Sequence, residues 1–157
     1  MLRFVSYDIV FQEVPGETTL AIHLSNCPNR CKGCHSPSLM EDTGEVLDET
    51  ALTDLMKKYG QAITCICFMG GDAAPQEIEQ LAAFVRRTTQ NRLKTAWYSG
   101  KQHIPATCSC RHFDYIKLGP YMEALGGLDS AQTNQRFYRI KGTEMIEISA
   151  CFRKTER

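Results

Sequence analysis

Three cysteines lie close together in the stretch CPNRCKGCHSP at residues 27–37, where three residues separate Cys27 from Cys31 and two separate Cys31 from Cys34. A disulfide uses thiols in pairs, so three clustered thiols favour metal ligation. Iron–sulfur clusters are usually held by four thiolates, and a site with three leaves one iron without a protein ligand. An open iron can bind a substrate, as the open position of a catalytic zinc does.

The alternative for this stretch is a structural zinc site made by Cys27, Cys31, Cys34 and His35. Closed zinc sites usually combine two separated pairs of ligands, and the adjacent side chains of Cys34 and His35 would have difficulty reaching one tetrahedron. A zinc-stabilised interaction module without catalysis therefore stays open as the weaker hypothesis.

Two further pairs of cysteines need an interpretation. Cys65 and Cys67 lie two apart in an apolar run and share one face of a strand, which favours packing because buried cysteine behaves as a small hydrophobic residue. Cys108, Cys110 and His112 form a second cluster. These three residues could hold a second metal, and Cys108 with Cys110 could form a thiol redox carrier, although no partner pair of ligands is evident.

The composition limits the classes of partner. Eighteen basic residues balance eighteen acidic residues, and no basic run indicates a nucleic-acid or membrane surface, so we expect neither partner. Asp8 interrupts the apolar N-terminal stretch, and no apolar run approaches the length of a membrane span. We expect a cytoplasmic protein whose eight cysteines form no disulfide framework. Its 157 residues predict a single domain, residues 1–157.

Strand and helix signals alternate along the chain. Helical spacing predicts helices at 48–60, after the N-cap Asp48, and from Pro75 to about residue 85. Period-two and short apolar runs predict strands at 5–11, 20–24, 63–69, 93–98, 113–118, 136–140 and 145–149. Such alternation indicates an α/β fold with parallel βαβ units.

The most informative motifs fall at the ends of predicted strands. SNCPNRCKGC follows the strand at 20–24, and MGGD ends the strand at 63–69. Ligands of parallel α/β sheets bind at the carboxyl ends of strands. We therefore expect these two stretches to face the same cleft.

Cys-x3-Cys-x2-Cys followed by a strand-end Gly-Gly-acid resembles the radical S-adenosylmethionine (SAM) superfamily. Within it, VPGETTLAIHLSNCPNRCKGCHSP, FMGGD and TNQR are similar to the activating proteins of anaerobic ribonucleoside-triphosphate reductases, which are glycyl-radical-enzyme activases. The resemblance extends from about residue 14 to residue 138. Gly33 stands where many members carry an aromatic residue, which argues mildly against activators of pyruvate formate-lyase, although another glycyl-radical enzyme stays open as the substrate.

The resemblance implies a fold, a chemistry and partners. The fold would be a shortened, incomplete (βα) barrel of the radical SAM type with mostly parallel strands. One [4Fe-4S] cluster on Cys27, Cys31 and Cys34 would bind SAM as a cosubstrate and cleave it, with an electron from a donor such as flavodoxin. The resulting radical would remove a hydrogen atom from a glycine loop in the large subunit of an anaerobic ribonucleotide reductase. No catalytic side chain is expected beyond the cluster and SAM.

By the same resemblance, a set of residues is expected to contact SAM: Gly33, Cys34, His35, Gly70, Gly71, Asp72 and Ser99. Residues 33–35 would lie near the adenine, residues 70–72 would receive the methionine end with Asp72 accepting from its ammonium, and Ser99 would reach the ribose. Without the resemblance, the glycine pair and Ser99 read equally well as strand-end turns. Asn134, Gln135 and Arg136, in a polar loop, are candidates for a contact to the partner or to the mouth of the active site.

Overall fold

A computed structural model describes residues 2–25 and 43–152, and within these residues one eight-stranded sheet packs against two α-helices. The strands are β1 Arg3–Val10, β2 Thr19–Leu24, β3 Glu45–Val46, β4 Cys65–Met69, β5 Lys94–Tyr98, β6 Tyr115–Leu118, β7 Arg136–Lys141 and β8 Glu144–Glu147. The helices are α1 Glu49–Tyr59 and α2 Pro75–Thr89, with short 3-10 helices at Cys110–His112 and Ser149–Phe152.

Local sequence signals explain where the helices begin and end. The Asp48 side chain accepts a hydrogen bond from the amide of Ala51 at 2.9 Å and caps α1, as predicted. Pro75 occupies the first turn of α2, where its missing N–H costs nothing. Gln90 ends α2 in the left-handed region at φ 51°. Both helices bury the apolar faces that their spacing predicted.

The strand order is β3-β1-β2-β4-β5-β6-β7-β8. β2, β4, β5 and β6 pair in parallel, and the other four pairings are antiparallel. The expected incomplete (βα) barrel with mostly parallel strands is therefore wrong. The described chain forms an open, mixed sheet that begins at β3 and ends at β8.

Connection lengths give the physical reason for this difference. β1 joins β2 through a short loop, and β7 joins β8 through a turn at Gly142, so neither connection contains the crossover helix that parallel pairing requires. β6 joins β7 without an α-helix in between. Among the described residues, two α-helices lie in connections between parallel strands, and antiparallel strands extend the sheet on both sides.

The sheet has two different faces. On the helix face, side chains such as Ile22, Phe68 and Trp97 share one core with both helices. On the other face, which we call the helix-free face because neither α1 nor α2 packs on it, a smaller core contains Cys67 and Phe137. None of the helices among the described residues is long and apolar enough to cross a membrane.

The register aligns the last residues of the parallel strands. His23 of β2 pairs with Met69 of β4, Met69 with Tyr98 of β5, and Tyr98 with Lys117 of β6. The residues that follow these four positions therefore lie along one edge of the sheet, which we call the carboxyl edge. This edge contains Ser25, the Gly-Gly-Asp turn at residues 70–72 and Ser99. Ser25 directly precedes residues 26–42, which contain the three clustered cysteines and which we call the cysteine segment.

Candidate functional site

Two glycines form the turn after β4, each for its own steric reason. Gly70 has φ +105°, and its carbonyl accepts a hydrogen bond from the Trp97 indole at 2.7 Å. Gly71 has φ +83°, and a Cβ there would lie 2.6 Å from Cδ1 of Ile78 and 2.9 Å from Cδ1 of Leu24. Backbone conformation and packing thus both require glycine at residue 71.

Asp72 and Ser99 are brought together at the carboxyl edge. The Ser99 hydroxyl donates to Oδ1 of Asp72 at 2.5 Å, and the Gly100 amide donates to Oδ2 at 2.8 Å. Ser99 is fully buried, and its oxygen also accepts from the Lys101 amide at 3.1 Å. The hydroxyl therefore orients the Asp72 carboxylate, while a contact from Ser99 to a ribose stays a prediction.

A buried ammonium supports the same edge. Nζ of Lys117 donates to the carbonyl of Ser99 at 3.1 Å and to the carbonyl of Gly119 at 2.9 Å, and the residue is 8% exposed. It also lies 5.7 Å from the centre of the Tyr98 ring. Lys117 joins the ends of β5 and β6 behind Asp72. Sequence reasoning missed it, because the only signal is one lysine within an apolar run.

Ser25 and Thr43, the described residues on either side of the cysteine segment, lie at this edge. The Ser25 hydroxyl donates to the Thr43 carbonyl at 2.6 Å and accepts from the Thr43 amide at 3.3 Å. The Ser25 amide also donates to the Arg3 carbonyl at 3.0 Å. The predicted residues Cys27, Cys31, Gly33, Cys34 and His35 lie outside the described residues. The two residues that flank the segment are thus held together beside the turn that contains Asp72.

The second cysteine cluster packs around Glu79 of α2. Nε2 of His112 lies 3.8 Å from Oε1 of Glu79, whereas the Cys110 thiol points to the Thr143 carbonyl at 3.6 Å. Burial, followed by the Glu79 charge, raises the pKa of Cys108, which lowers its thiolate fraction. No group of three metal-ligating side chains occurs within residues 2–25 and 43–152, so a second metal at this cluster has no support from the described residues.

Residues 134–136 stabilise the loop before β7 through hydrogen bonds. The side-chain amide of Asn134 donates to the Pro120 carbonyl at 3.0 Å, and the Gln135 residue is 6% exposed. Arg136 donates to the carbonyls of Thr133 at 2.7 Å and Gln135 at 2.9 Å. These contacts give the three residues a structural role, and a contact to a partner stays a prediction.

Cys65 and Cys67 lie fully buried on the helix-free face, as their strand pattern predicted. Burial raises the pKa of both thiols, and the carboxylate of Glu17 adds to the rise at Cys65. Both thiols are therefore protonated at neutral pH, which suits packing in this core.

Comparison with known proteins gives one match. Residues 14–107, more than half of the chain, match the family model described as a 4Fe-4S single cluster domain. No curated protein and no solved structure matches the chain. The matched range contains the three clustered cysteines, Asp72 and Ser99.

Proposed function

Because the chain belongs to the 4Fe-4S single cluster domain family, we propose that it is an oxidoreductase, a radical SAM activase that reductively cleaves SAM. It removes a hydrogen atom from a glycine in the large subunit of an anaerobic ribonucleotide reductase. The spacing of Cys27, Cys31 and Cys34 within the matched range is the observation that carries this proposal. Three thiolates hold the cluster and leave one iron for the amino and carboxylate groups of SAM.

The described residues beside the cysteine segment fit this assignment. Ser25 and Thr43 anchor the segment at the carboxyl edge, where ligands of parallel sheets bind. Asp72 lies at the same edge, and its two bonds from Ser99 and Gly100 fix the orientation of the carboxylate. A carboxylate has about four acceptor sites, so an oriented Asp72 suits the N–H donors of the amino group in the methionine part of SAM.

The cofactor supplies the difficult chemistry, and the chain binds and orients the reactants. When bound, a reduced cluster of this kind supplies the electron that splits SAM into methionine and a 5′-deoxyadenosyl radical, which becomes 5′-deoxyadenosine by taking hydrogen from glycine. Asp72 accepts hydrogen bonds from the amino group of SAM, and the network from Lys117 through Ser99 keeps that carboxylate in place. A flavodoxin-like protein is the proposed electron donor.

Anaerobic reconstitution tests the assignment. The protein should turn brown, contain four irons per chain as expected for one [4Fe-4S] cluster, and release 5′-deoxyadenosine when it is reduced with SAM. Cys31→Ala should remove both the cluster and turnover, whereas Cys151→Ala, which changes an exposed cysteine, should keep both. A colourless protein that holds only zinc would contradict the proposal and support the interaction module.

The substrate is tested separately by electron paramagnetic resonance. The reduced protein, SAM and an anaerobic ribonucleotide reductase should together give a glycyl radical signal. A signal with pyruvate formate-lyase instead of the reductase would keep the chemistry and replace the partner. SAM cleavage without a radical on either enzyme would overturn the assignment as an activase of these two.

A further inference from the structure

A cavity of about 640 Å³ lies on the helix-free face of the sheet. Much of its lining is apolar: Pro15 from the loop after β1, the Tyr98 ring from β5, Leu128 from the loop before β7, and Phe152 near the end of the described chain. The Tyr98 hydroxyl donates to the carbonyl of Glu13, which fixes the ring and the loop together. Cavities of this size are typical of binding sites.

The polar lining of this cavity is acidic. Glu13 and Asp129 contribute two carboxylates, and none of the Lys, Arg or His residues that the structure describes lines the cavity. Within residues 2–25 and 43–152 neither carboxylate forms an ion pair. Glu13 accepts a hydrogen bond from the Gln12 amide at 3.3 Å, which does not neutralise its charge. Because the whole chain balances eighteen basic and eighteen acidic residues, this excess of negative charge is local.

A cavity lined by apolar groups and by carboxylates without an ion pair among the described residues favours a ligand that has both an apolar stem and a positive charge. Lysine and arginine bury an aliphatic stem against apolar surface and keep a cationic head at the polar side. Burial keeps the pKa of the Tyr98 phenol well above its ordinary value, so this ring is neutral and adds apolar surface against which such a stem can pack.

We propose that this cavity binds the basic side chain, arginine or lysine, of a partner polypeptide. Tyr98 connects the cavity to the carboxyl edge, since it is the last residue of β5 and directly precedes Ser99. A polypeptide that reaches the carboxyl edge can therefore place a neighbouring side chain in the cavity. The identity of this polypeptide as the reductase rests on the proposed function, whereas the preference for a basic side chain does not.

Cys151 provides the reporter for a binding test, because it lines the cavity and its thiol is exposed. The full chain with its cluster is alkylated anaerobically with N-ethylmaleimide, and peptide mapping gives the rate at each cysteine. N-acetyl-Gly-Gly-Arg-Gly-Gly-amide at about 10 mM should slow the alkylation of Cys151 roughly fivefold, whereas its neutral citrulline analogue should have little effect. The rate at Cys108, outside the cavity, should not change.

Two variants locate the binding charge. Glu13→Gln combined with Asp129→Asn should abolish the protection of Cys151 by the arginine peptide. Glu147→Gln, which removes a carboxylate that faces Arg136 outside the cavity, should preserve it. Equal protection by the arginine and citrulline peptides, or protection by neither, would overturn the proposal.

The chain itself carries basic residues directly after Phe152, at Arg153 and Lys154. If the arginine peptide protects Cys151 only after Arg153→Gln and Lys154→Gln, the occupant is this tail and the proposal of a partner is wrong. The assay uses neither SAM nor an electron donor. A failure of peptide binding is therefore distinguishable from a failure of SAM cleavage.

Discussion

Replacing Ser99 with alanine tests the Asp72 network. Ser99→Ala removes the hydroxyl that donates to Asp72 at 2.5 Å and leaves the Lys101 amide without its acceptor at 3.1 Å. A hydrogen bond to a charged group contributes about 1.5–3 kcal/mol, and the partly exposed Asp72 can recover some of this from water, so we expect a loss of about 2 kcal/mol. For a chain of this size, such a loss lowers the melting temperature by roughly 4–8 °C.

Circular dichroism measures this change, and Thr19→Val is the matched control. The Thr19 hydroxyl is buried without a hydrogen-bond partner apart from the weak sulfur acceptor of Cys65. Its replacement by the similarly shaped valine removes an unsatisfied group, so stability should stay within about 0.5 kcal/mol or rise. The contrast between the two variants separates the two hydrogen bonds of the Ser99 hydroxyl, to Asp72 and from Lys101, from the general effect of losing a buried hydroxyl.

The same variant gives a functional result. With Asp72 less well oriented, the KM for SAM should rise in the 5′-deoxyadenosine assay, and the iron content should match that of the unchanged protein. A Ser99→Ala protein with an unaltered melting temperature would refute the structural reasoning. A protein that melts earlier but keeps its KM for SAM would refute the role of Asp72 in binding.

Three further expectations concern titratable side chains. Burial, followed by the charge of Arg111, lowers the pKa of His112 below 6.5. The contribution of His112 to stability is therefore fully present above pH 6.5, and it is lost as the pH falls through the lowered pKa. The melting temperature should therefore fall less between about pH 7 and about pH 5 in His112→Gln than in the unchanged protein; parallel curves would contradict this. Burial raises the pKa of Cys65 and Cys67, so both thiols should resist iodoacetamide in the folded protein and react with it in urea. Rapid labelling of the folded protein would contradict this expectation and show that the core on the helix-free face opens. Replacing Cys108 and Cys110 together with serine should leave the release of 5′-deoxyadenosine unchanged, and loss of this activity would favour the thiol carrier.

Most elements were predictable because their signals are local. The N-cap Asp48 and the helix-opening Pro75 specify where α1 and α2 begin, and both helices are confirmed. Apolar runs located β4, β5 and β6 to within a few residues. Hydrophobic periodicity reports burial of one face or both, and this signal is strong in a sheet that is covered on one side by helices.

The direction of strand pairing was not predictable from the same signals. The alternation of strands and helices predicted parallel βαβ units, which β2, β4, β5 and β6 confirm, whereas the resemblance implied that the whole sheet would be a mostly parallel barrel. Gly142, in the connection between β7 and β8, has φ +66°. This connection is too short for the crossover that parallel pairing requires. That turn, together with the short loop between β1 and β2, makes both sides of the sheet antiparallel.

Contacts distant in sequence were also beyond the sequence patterns. Asp72 and Ser99 were both singled out, but the bond between them joins turns 27 residues apart. Lys117 gave no signal, because a lysine in a strand normally faces solvent, and its burial depends on two carbonyls at the ends of β5 and β6.

The closure at Ser25 has a consequence for how this protein could be rebuilt. Its side chain bridges to Thr43, 18 positions further along the chain, so these two residues lie side by side. The entropy of joining two fixed chain ends depends only weakly on the length of the connecting segment. A short glycine-serine bridge between Ser25 and Thr43 should therefore yield a folded protein without the three clustered cysteines, into which segments with other ligand sets can be grafted.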